Sequence, residues 1–390
     1  MHETPVASAA STAVTLRKVT AYPGVRVLAW DDGVLYACRG YQLIRLNAGS
    51  NDLRQIEQGA QWEPVARFDP VWWRRLTSRT ILSYRLVRDG FHALALLGDK
   101  TGNQTMIAAV PGAIVTCAPA SDEFKVTHQI RRGTRPLHLT AVPGGRIYWG
   151  EYFDNRERAE VHIYASADHG QTWQVAYTFP AGSIRHVHNV VYDRWDDCLW
   201  ILTGDEGDES KVLRASCDLR SVEVVWSGNQ QARAVAAIPM RGGLYLSTDT
   251  PFETNHVLRL NRTNLTRTKF GRAENIEEMA TLASSSIYGC RVGEAIFFST
   301  MVEPSLVNRG REVHLVGSPD GTNWQVLARW RKDKLPMRYF QYGNALLPDG
   351  NNTTNYLATT TVAVEHGDLV TTLWEVEPPP SAPVLSPPSV

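Results

Sequence analysis

The sequence lacks both a membrane-spanning segment and a secretory segment. No apolar run approaches the roughly 18 residues that a membrane helix needs, and residues 1–15 are small and polar, without the apolar core of a signal peptide. We therefore expect no membrane partner. The chain is expected in the cytoplasm if it is complete, and in the periplasm or outside the cell if a leader has been removed.

An excess of charge of either sign is also missing, because 40 Lys and Arg residues balance 40 Asp and Glu residues. Nucleic-acid binding depends on a surplus of positive charge, so we expect no nucleic-acid partner. Lysine is scarce, with seven residues against 33 arginines. Codon usage in a GC-rich genome is the favoured explanation; the alternative is an acidic ligand, because the rigid fork of arginine binds carboxylates at two points.

Cysteines are few and have no motif spacing. The five cysteines are odd in number and include no CxxC pair, which argues against a disulfide framework or a cysteine zinc site and predicts buried free thiols. The P-loop, the Rossmann fingerprint, the GxSxG elbow and the HExxH helix are absent as well. The nucleotide, dinucleotide, serine-hydrolase and zinc-protease mechanisms that use these motifs are therefore not expected.

Turns and aromatic strands are abundant instead, with 29 Gly, 21 Pro, 12 Trp and 14 Tyr. A turn followed by an apolar strand recurs at residues 33, 90, 145, 197, 243, 293 and 350. The mean spacing of about 53 residues is the length of a four-stranded propeller blade with its loops. Seven such units predict an all-β fold, a seven-bladed β-propeller of four-stranded antiparallel blades. Two unrelated β-sandwiches are the alternative, and they would not explain the regular spacing.

The propeller is expected to form a single domain over residues 14–377. It would follow a flexible N-terminus at residues 1–13 and precede a Pro-rich disordered tail at residues 378–390. A propeller ring must join its two ends, and the segment Ala13–Val19 is predicted to add a strand to the last blade.

Helical periodicity is confined to one short segment, Glu274–Leu282, which is predicted to form one or two helical turns. The adjacent Trp72 and Trp73 are predicted to pack in the core or between blades. Stacking of these two rings on a sugar is the alternative.

Two hairpins carry a specific signature. Residues 166–173 read S-x-D-x-G-x-T-W, and residues 318–324 form a variant that is one residue shorter. In such a hairpin the Asp side chain accepts backbone N–H groups of the turn, the Gly permits positive φ, and the Trp packs between strands. The chain therefore resembles the sialidase-like superfamily of Asp-box (BNR-repeat) propellers over most of residues 14–376. The resemblance implies a carbohydrate-active protein, since that superfamily contains sialidases, other glycosidases, lyases and non-catalytic members.

The features specific to sialidases are missing. No Arg-Ile-Pro string stands near the start, and no arginine triad or Tyr–Glu nucleophile pair can be assigned by motif. A sialidase reaction is therefore not expected. The resemblance also implies that the signature hairpins lie between the third and fourth strands of a blade, away from the ligand-binding face.

Propeller geometry brings the starts of first strands and the ends of second strands to one upper face around the central channel. Polar residues at these positions are therefore the candidates for a site. The candidate catalytic residues are His186, His188, Glu151 and Tyr152. The candidate substrate-binding residues are Arg135, His138, Asn189, Asp205, Arg233, Asp249, Arg338 and Tyr342.

His186 and His188 stand two residues apart, so on a strand they share one face. An imidazole serves as a general acid or base near neutral pH, and two on one face can also hold a divalent metal. The candidates for a third ligand are His138, His256 and Asp205, and no sequence feature chooses among them. Two histidines that only hydrogen-bond in the channel wall are the structural alternative.

These features predict a carbohydrate-active enzyme that cleaves an acidic, uronic-acid-type polysaccharide or oligosaccharide, as a glycoside hydrolase or a polysaccharide lyase. In hydrolysis, Glu151 with Asp205 or Asp249 would supply the two carboxyl groups. In β-elimination, a histidine would be the base, Tyr152 the acid, and an arginine or a metal would neutralise the uronate. The alternative is a non-catalytic propeller that binds a glycan or a protein, and we expect a monomer in either case.

Overall fold

The strands of the chain form seven sheets around a central channel. The computed structural model describes residues 13–49, 61–98, 104–262 and 276–377. Each sheet contains four antiparallel strands, and one sheet carries a fifth strand in parallel. The predicted seven-bladed, all-β propeller is therefore confirmed. Residues 1–12 of the predicted N-terminus and the whole predicted tail lie outside the described residues.

The strands are numbered in chain order. Blade 1 contains β2 (Arg26–Asp32), β3 (Val34–Arg39), β4 (Gln42–Asn47) and β5 (Glu63–Arg67). Blade 2 contains β6 (Ala93–Leu97), β7 (Thr105–Val110), β8 (Ala113–Cys117) and β9 (Lys125–Gln129). Blade 3 contains β10 (Thr140–Ala141), β11 (Ile147–Gly150), β12 (Val161–Ser166) and β13 (Gln174–Phe179). Blade 4 contains β14 (His186–Asp193), β15 (Cys198–Gly204), β16 (Lys211–Ser216) and β17 (Val222–Ser227).

Blade 5 contains β18 (Ala234–Met240), β19 (Gly243–Thr248), β20 (Asn255–Asn261) and β21 (Ile276–Leu282). Blade 6 contains β22 (Ser286–Val292), β23 (Ala295–Thr300), β24 (Glu312–Ser318) and β25 (Gln325–Arg331). Blade 7 contains β26 (Asn344–Leu346), β28 (Tyr356–Val362), β29 (Val370–Glu377) and the N-terminal β1 (Thr15–Pro23). The remaining strand, β27 (Asp349–Asn352), pairs in parallel with β2.

Apolar side chains of neighbouring blades pack together between the sheets. The strand β15 is buried along its whole length because both of its faces meet another blade. On one face, Leu199 and Ile201 share an apolar cluster with Ile163 of blade 3. On the other face, Trp200 lies in a cluster with Leu246 of blade 5. Burial of one such aliphatic side chain contributes about 2 kcal/mol, so these layers hold adjacent blades together.

The N-terminal strand closes the ring. Strand β1 pairs with β29 along its whole length and becomes the outer strand of blade 7. Val14 is buried in the core of this region, and Arg17 forms an ion pair with Glu375 at 2.6 Å. The predicted closure by the segment Ala13–Val19 is confirmed, and the strand continues to Pro23.

The predicted turn precedes the same strand in six blades and a different strand in the seventh. Six of the seven predicted turns lead into the second strand of their blade, as Gly33 leads into β3 and Gly145 into β11. Gly90 instead precedes the first strand of its blade, β6. The reason is a helical insertion before β6, which lengthens that connection and supplies a turn signal of its own.

Three short α-helices occur in the described part of the chain, and all three lie in connections between blades. They are α1 (Trp72–Thr77), α2 (Ile81–Val87) and α3 (Met337–Phe340). Thr80 caps α2 by accepting the Ser83 N–H, and α2 docks through Arg85, which forms ion pairs with Asp333 and Asp368 at 2.5 and 2.8 Å.

Two sequence predictions about helices and aromatics are wrong. Ile276–Leu282, within the predicted helix Glu274–Leu282, forms the outer strand β21, because an outer strand exposes one face and its apolar pattern is weak. Trp72 and Trp73 do not pack in the core, since they lie on α1 and are 74% and 39% exposed. None of the helices in the described ranges has the length and apolarity to span a membrane.

The signature hairpins lie on the lower face, between the third and fourth strands of blades 3 and 6. Asp168 Oδ1 accepts the N–H groups of Gln171 and Thr172 at 3.2 and 2.9 Å. Asp320 Oδ1 accepts equivalent bonds in the other hairpin. These hairpins stabilise their own turns and take no part in the upper face.

The cysteines are free, as predicted. Cys217 is partly exposed and the other four are buried.

Candidate functional site

His186 and His188 lie at the upper end of β14, the innermost strand of blade 4. Both side chains are buried, with exposures of 5% and 3%. His186 Nδ1 lies 3.0 Å from Phe153 O, and His188 Nδ1 lies 2.9 Å from Ala234 O. A carbonyl oxygen can only accept, so both Nδ1 atoms carry hydrogen. Nε2 is bare when such a ring is neutral, and it donates when the ring is protonated.

Asp205 brings a carboxylate to the two imidazoles. Its Oδ1 lies 3.3 Å from His186 Nε2 and 3.1 Å from His188 Nε2, and the two Nε2 atoms are 3.0 Å apart. Burial opposes ionisation of Asp205, but hydrogen bonds from both histidines outweigh it and hold the pKa of Asp205 below its usual range. Burial lowers the pKa of His188, and the hydrogen bond to Asp205 partly offsets this.

Gly204, the last residue of β15, lets the imidazole of His188 lie against the backbone. A Cβ at this position would overlap His188 Cε1. Because Gly204 has no side chain, the His188 ring packs directly against the backbone of β15, and this contact fixes the position of the ring.

Two arginines and a second carboxyl group surround Asp205. Arg185 Nη1 lies 3.1 Å from Asp205 Oδ2. Arg233 Nη2 lies 3.4 Å from Asp205 Oδ1 and 3.3 Å from Asp249 Oδ2, so two carboxyl groups share one guanidinium. Burial raises the pKa of Asp249 to about 6 against the attraction of Arg233, and Asp249 Oδ1 has no hydrogen-bond partner among the described residues.

Tyr152 and Glu303 complete this part of the upper face. The Tyr152 ring packs on His186 with ring centroids 4.3 Å apart. Burial and the charge of Asp205 raise the pKa of Tyr152 to about 12, so its hydroxyl stays protonated at neutral pH. Burial also raises the pKa of Glu303, whose carboxyl lies near the charges of Arg233 and Asp205.

The side chain of Glu151 faces away from the histidine pair. Its backbone carbonyl accepts the Val187 N–H at 2.9 Å, so the backbone of Glu151 lies beside strand β14. Its carboxylate, however, accepts hydrogen bonds from Arg132 and from the His162 N–H at 2.9 Å, and it lines a groove of about 320 Å³ between blades 2 and 3. The structure therefore does not bring this candidate carboxylate to the imidazoles.

Arg135 lies in a separate group at the upper end of the channel. Its Nη1 donates to Arg88 O at 3.2 Å, and burial together with the charges of Arg26 and Arg88 lowers the pKa of Arg135. Arg26 is 8% exposed and donates to His92 Nδ1 at 2.9 Å. In the described ranges no carboxylate lies within ion-pair distance of these three arginines, and Arg26 Nε has no hydrogen-bond partner. Arg26, Arg88 and Arg135 are called the axial arginines.

Two of the axial arginines are absent from the sequence-based candidates. Arg26 could have been found by position, because it opens the first strand of blade 1 as His186 opens that of blade 4. Arg88 could not, because it ends α2 in the left-handed region (φ 56), and the sequence predicts no helix there.

His138 and Asn189 lie further down the channel than the histidine pair. His138 Nδ1 lies 3.0 Å from Asp349 Oδ2, and Asn189 donates to Val235 O at 3.0 Å. Both residues line a channel cavity of about 460 Å³. Their predicted contact with a substrate on the upper face stays a prediction.

Arg338 and Tyr342 lie near the connection between blades 6 and 7. Arg338 is exposed on α3, with its guanidinium 5.6 Å from the centroid of the Tyr339 ring. Tyr342 is half-buried, and burial with the charge of Glu303 raises its pKa while Arg88 opposes this. Tyr342 therefore lies near both Glu303 and the axial arginine Arg88.

Two groups of side chains in the described residues bring three ligand atoms close enough to hold a metal ion. One is His186, His188 and Asp205; the other is Asp193, Asp196 and Cys198. The second group already binds a cation, because the guanidinium of Arg262 lies 2.7 Å from Asp193 and 2.5 Å from Asp196.

Of the three third-ligand candidates, the structure brings only Asp205 to the histidine pair. His138 pairs with Asp349, and His256 lies 3.0 Å from Gln231 Oε1 and 3.3 Å from Glu278 Oε1.

Comparisons with known proteins support the fold and identify no family. No family model and no curated protein matches the chain. The chain is similar to a chain of the crystal structure of the mitotic checkpoint complex, at 10% identity over 96% of this chain and 99% of that chain, with a TM-score of 0.54. It is also similar to the β-propeller domain of Myceliophteria thermophila Cps50 (Swd1), at 10% identity, 93% and 100% coverage and a TM-score of 0.54. The AfRom2 CNH domain matches at 7% identity, 93% and 99% coverage and a TM-score of 0.53. Identities this low support the propeller fold alone.

Proposed function

We propose that the protein is a carbohydrate-active enzyme that cleaves an acidic, uronic-acid-type polysaccharide or oligosaccharide at the histidine–aspartate cluster of the upper face. The observation that carries this proposal is the pair of carboxyl groups that share Arg233. Asp205 has a lowered pKa and Asp249 has a pKa raised to about 6, so one is ionised while the other can still hold a proton. General acid–base cleavage of a glycosidic bond uses two carboxyl groups in these opposite states.

The axial arginines support an acidic substrate. Three guanidinium groups without a carboxylate partner in the described ranges create a positive potential at the mouth of the channel. A uronate carboxylate would supply the missing negative charge and would accept paired N–H donors. An acidic sugar held there would extend past Tyr342 and Glu303 toward Asp249.

The residues suit two reaction types. In hydrolysis, Asp249 would protonate the leaving glycosidic oxygen, and Asp205 with a histidine would activate water on the opposite side of the sugar. In β-elimination, His186 or His188 would remove the proton from the sugar carbon that bears the carboxylate, and Tyr152 would protonate the leaving glycosidic oxygen. The proposal covers both, since each uses the same pocket and the same acidic substrate.

The signature hairpins add support at the level of resemblance. Asp168 and Asp320 make the turn hydrogen bonds expected of Asp-box hairpins in the sialidase-like superfamily. That superfamily is rich in carbohydrate-active members, although fold alone assigns no reaction.

The test is a panel of uronate-containing oligosaccharides and polysaccharides incubated with the full chain. Hydrolysis is expected to release reducing ends without absorbance near 235 nm, and elimination is expected to release both reducing ends and that absorbance. Cleavage of an acidic glycan, with no cleavage of its methyl-esterified form, would support the proposal. Absence of product from every acidic glycan would overturn it.

A non-catalytic binding propeller is the second candidate, and the α1–α2 insertion favours it. Trp72, Leu82 and Leu86 are 74%, 56% and 54% exposed, and exposed apolar patches of this kind mark contact surfaces for other proteins. The separation of Glu151 and Arg135 from the histidine pair points the same way. Binding of a glycan or a protein without turnover in the panel would establish this alternative.

A further inference from the structure

The histidine–aspartate cluster brings three lone pairs together. Each Nδ1 of His186 and His188 donates to a backbone carbonyl, which leaves each Nε2 bare in the neutral ring. The two Nε2 atoms are 3.0 Å apart, and Asp205 Oδ1 lies 3.1 and 3.3 Å from them. When both rings are neutral, three acceptors at these distances repel one another unless a cation lies among them, and Arg233 Nη2 reaches only the Asp205 oxygen, at 3.4 Å.

We propose that His186, His188 and Asp205 bind a divalent transition-metal ion. Metal–nitrogen and metal–oxygen bonds are about 2.0–2.2 Å long, so neighbouring ligand atoms on one ion lie about 3 Å apart. The three separations in the cluster, 3.0, 3.1 and 3.3 Å, are close to this value. Two imidazoles and one carboxylate on one side of an ion leave its other positions open for water or substrate oxygen.

The choice of metal follows from the ligand atoms. Imidazole nitrogen suits Zn²⁺, Fe²⁺ and the neighbouring first-row ions, whereas Ca²⁺ and Mg²⁺ prefer sites made of oxygen. A site with two nitrogens among three ligands is therefore expected to select a first-row transition ion over the hard ions.

Groups that do not contact the proposed ion fix the positions of its ligands, as such groups do in known metal sites. The carbonyls of Phe153 and Ala234 set the tautomer and direction of both rings, and Arg185 holds Asp205 Oδ2 so that Oδ1 faces the rings. The two nearby guanidinium charges are shared with other carboxylates, since Arg185 also pairs with Asp154 at 2.6 Å and Arg233 pairs with Asp249. Each guanidinium charge is therefore partly neutralised by a second carboxylate, which reduces its repulsion of the ion.

The test measures metal binding by the full chain without any glycan. Chelator-treated protein is titrated with Zn²⁺, Mn²⁺ and, without oxygen, Fe²⁺, and Ca²⁺ and Mg²⁺ serve as hard-ion comparisons. Bound metal per chain and melting temperature are the readouts. We expect one equivalent of at least one transition ion, a higher melting temperature with that ion, and no comparable effect of Ca²⁺ or Mg²⁺.

Two ligand variants and one control localise the ion. Asp205→Asn and His186→Ala are expected to weaken binding by at least about a hundredfold, beyond the range usual for outer groups. His256→Ala removes a histidine that pairs elsewhere and should bind the ion as the wild-type chain does. A folded, metal-free Asp205→Asn variant, judged by its circular dichroism, keeps the comparison valid if His186→Ala fails to fold.

The result that would overturn the proposal is the absence of stoichiometric transition metal, or unchanged affinity in both ligand variants. In that case a proton shared by the two Nε2 atoms, and not a metal ion, would hold the three acceptors together. The inference deepens the proposed function because the ion would lie in its pocket, where His186 and His188 would act as ligands and not as bases. The two proposals fail separately. A chain that binds the ion and cleaves no glycan overturns only the enzyme, whereas a metal-free chain that cleaves overturns only the metal site.

Discussion

Asp249 is the residue whose chemistry is most changed by its surroundings. It is 6% exposed, one oxygen lies 3.3 Å from Arg233, and the other oxygen has no hydrogen-bond partner among the described residues. A buried carboxyl with a pKa of about 6 remains partly protonated where ordinary carboxyls are ionised. This is the property that a general acid needs.

Asp249→Asn keeps the shape of the side chain and removes its acidic proton. We expect turnover to fall by at least about a hundredfold, the scale for loss of a positioned acid. The matched control is Asp154→Asn, which removes a carboxylate that binds Arg185. Initial rates on the cleaved glycan should separate the two variants, and an equal loss in both would argue against a specific role for Asp249.

The same variant has a pH-dependent effect on stability. The pKa of Asp249 is higher in the folded chain than its ordinary value of 3.8, so the folded state binds this proton more tightly. That contribution is complete below the unfolded value and is lost as the pH rises through about 6. The Asp249→Asn variant does not titrate at this position, so we expect its melting temperature, relative to that of the wild-type chain, to rise as the pH is raised from about 4 to about 8. A difference that stays constant or shrinks over this range would contradict the raised pKa.

Sequence reasoning at the scale of single residues succeeded where spacing decided the geometry. The two-residue spacing of His186 and His188 predicts one shared face, and the structure places both rings together. Spacing could not predict which way Glu151 turns, because Arg132 of the preceding connection draws its carboxylate to the other side. The direction of a side chain at a strand end depends on contacts from distant segments, and the sequence pattern does not contain them.

At the scale of elements, the end of β15 controls the position of the His188 ring. Gly204→Ala would place a Cβ that overlaps His188 Cε1, so the ring must move from its position in the cluster. We expect turnover to fall with little loss of strand content, measured by initial rates and circular dichroism. Gly242→Ala is the control, since no atom lies within 4 Å of a Cβ at that position. Wild-type turnover in Gly204→Ala would show that the ring position does not matter.

Strands were easier to predict than helices in this chain. The turn and apolar-strand repeat gave the number of blades, because every blade buries its second strand between neighbours. The helices α1 and α2 were missed because they lie in a loop and expose apolar residues, so burial leaves no 3.6-residue pattern in them. Conversely, the outer strand β21 is half-exposed and carries a weak alternating pattern, which led to a helix prediction.

At the scale of the whole molecule, the ring depends on β1. This strand covers β29, and its loss would expose the edge of β29 and the apolar cluster around Val14. Removal of residues 1–23 is expected to lower the melting temperature by at least about 5 °C. Removal of residues 1–12 is the control, because the sequence predicts a flexible N-terminus there, and it should leave the melting temperature unchanged. Equal melting temperatures of the two truncations would contradict closure by β1.

The central claim is that the histidine–aspartate cluster of the upper face cleaves an acidic glycan, and turnover of the histidine variants tests it most directly. His186→Ala and His188→Ala are each expected to lower turnover by at least about a hundredfold while the circular dichroism of the chain stays that of the wild type. His169→Asn, on an exposed hairpin of the lower face, serves as the control and should keep full turnover. Unchanged turnover in both histidine variants, with the fold retained by circular dichroism, would contradict the catalytic role of the cluster.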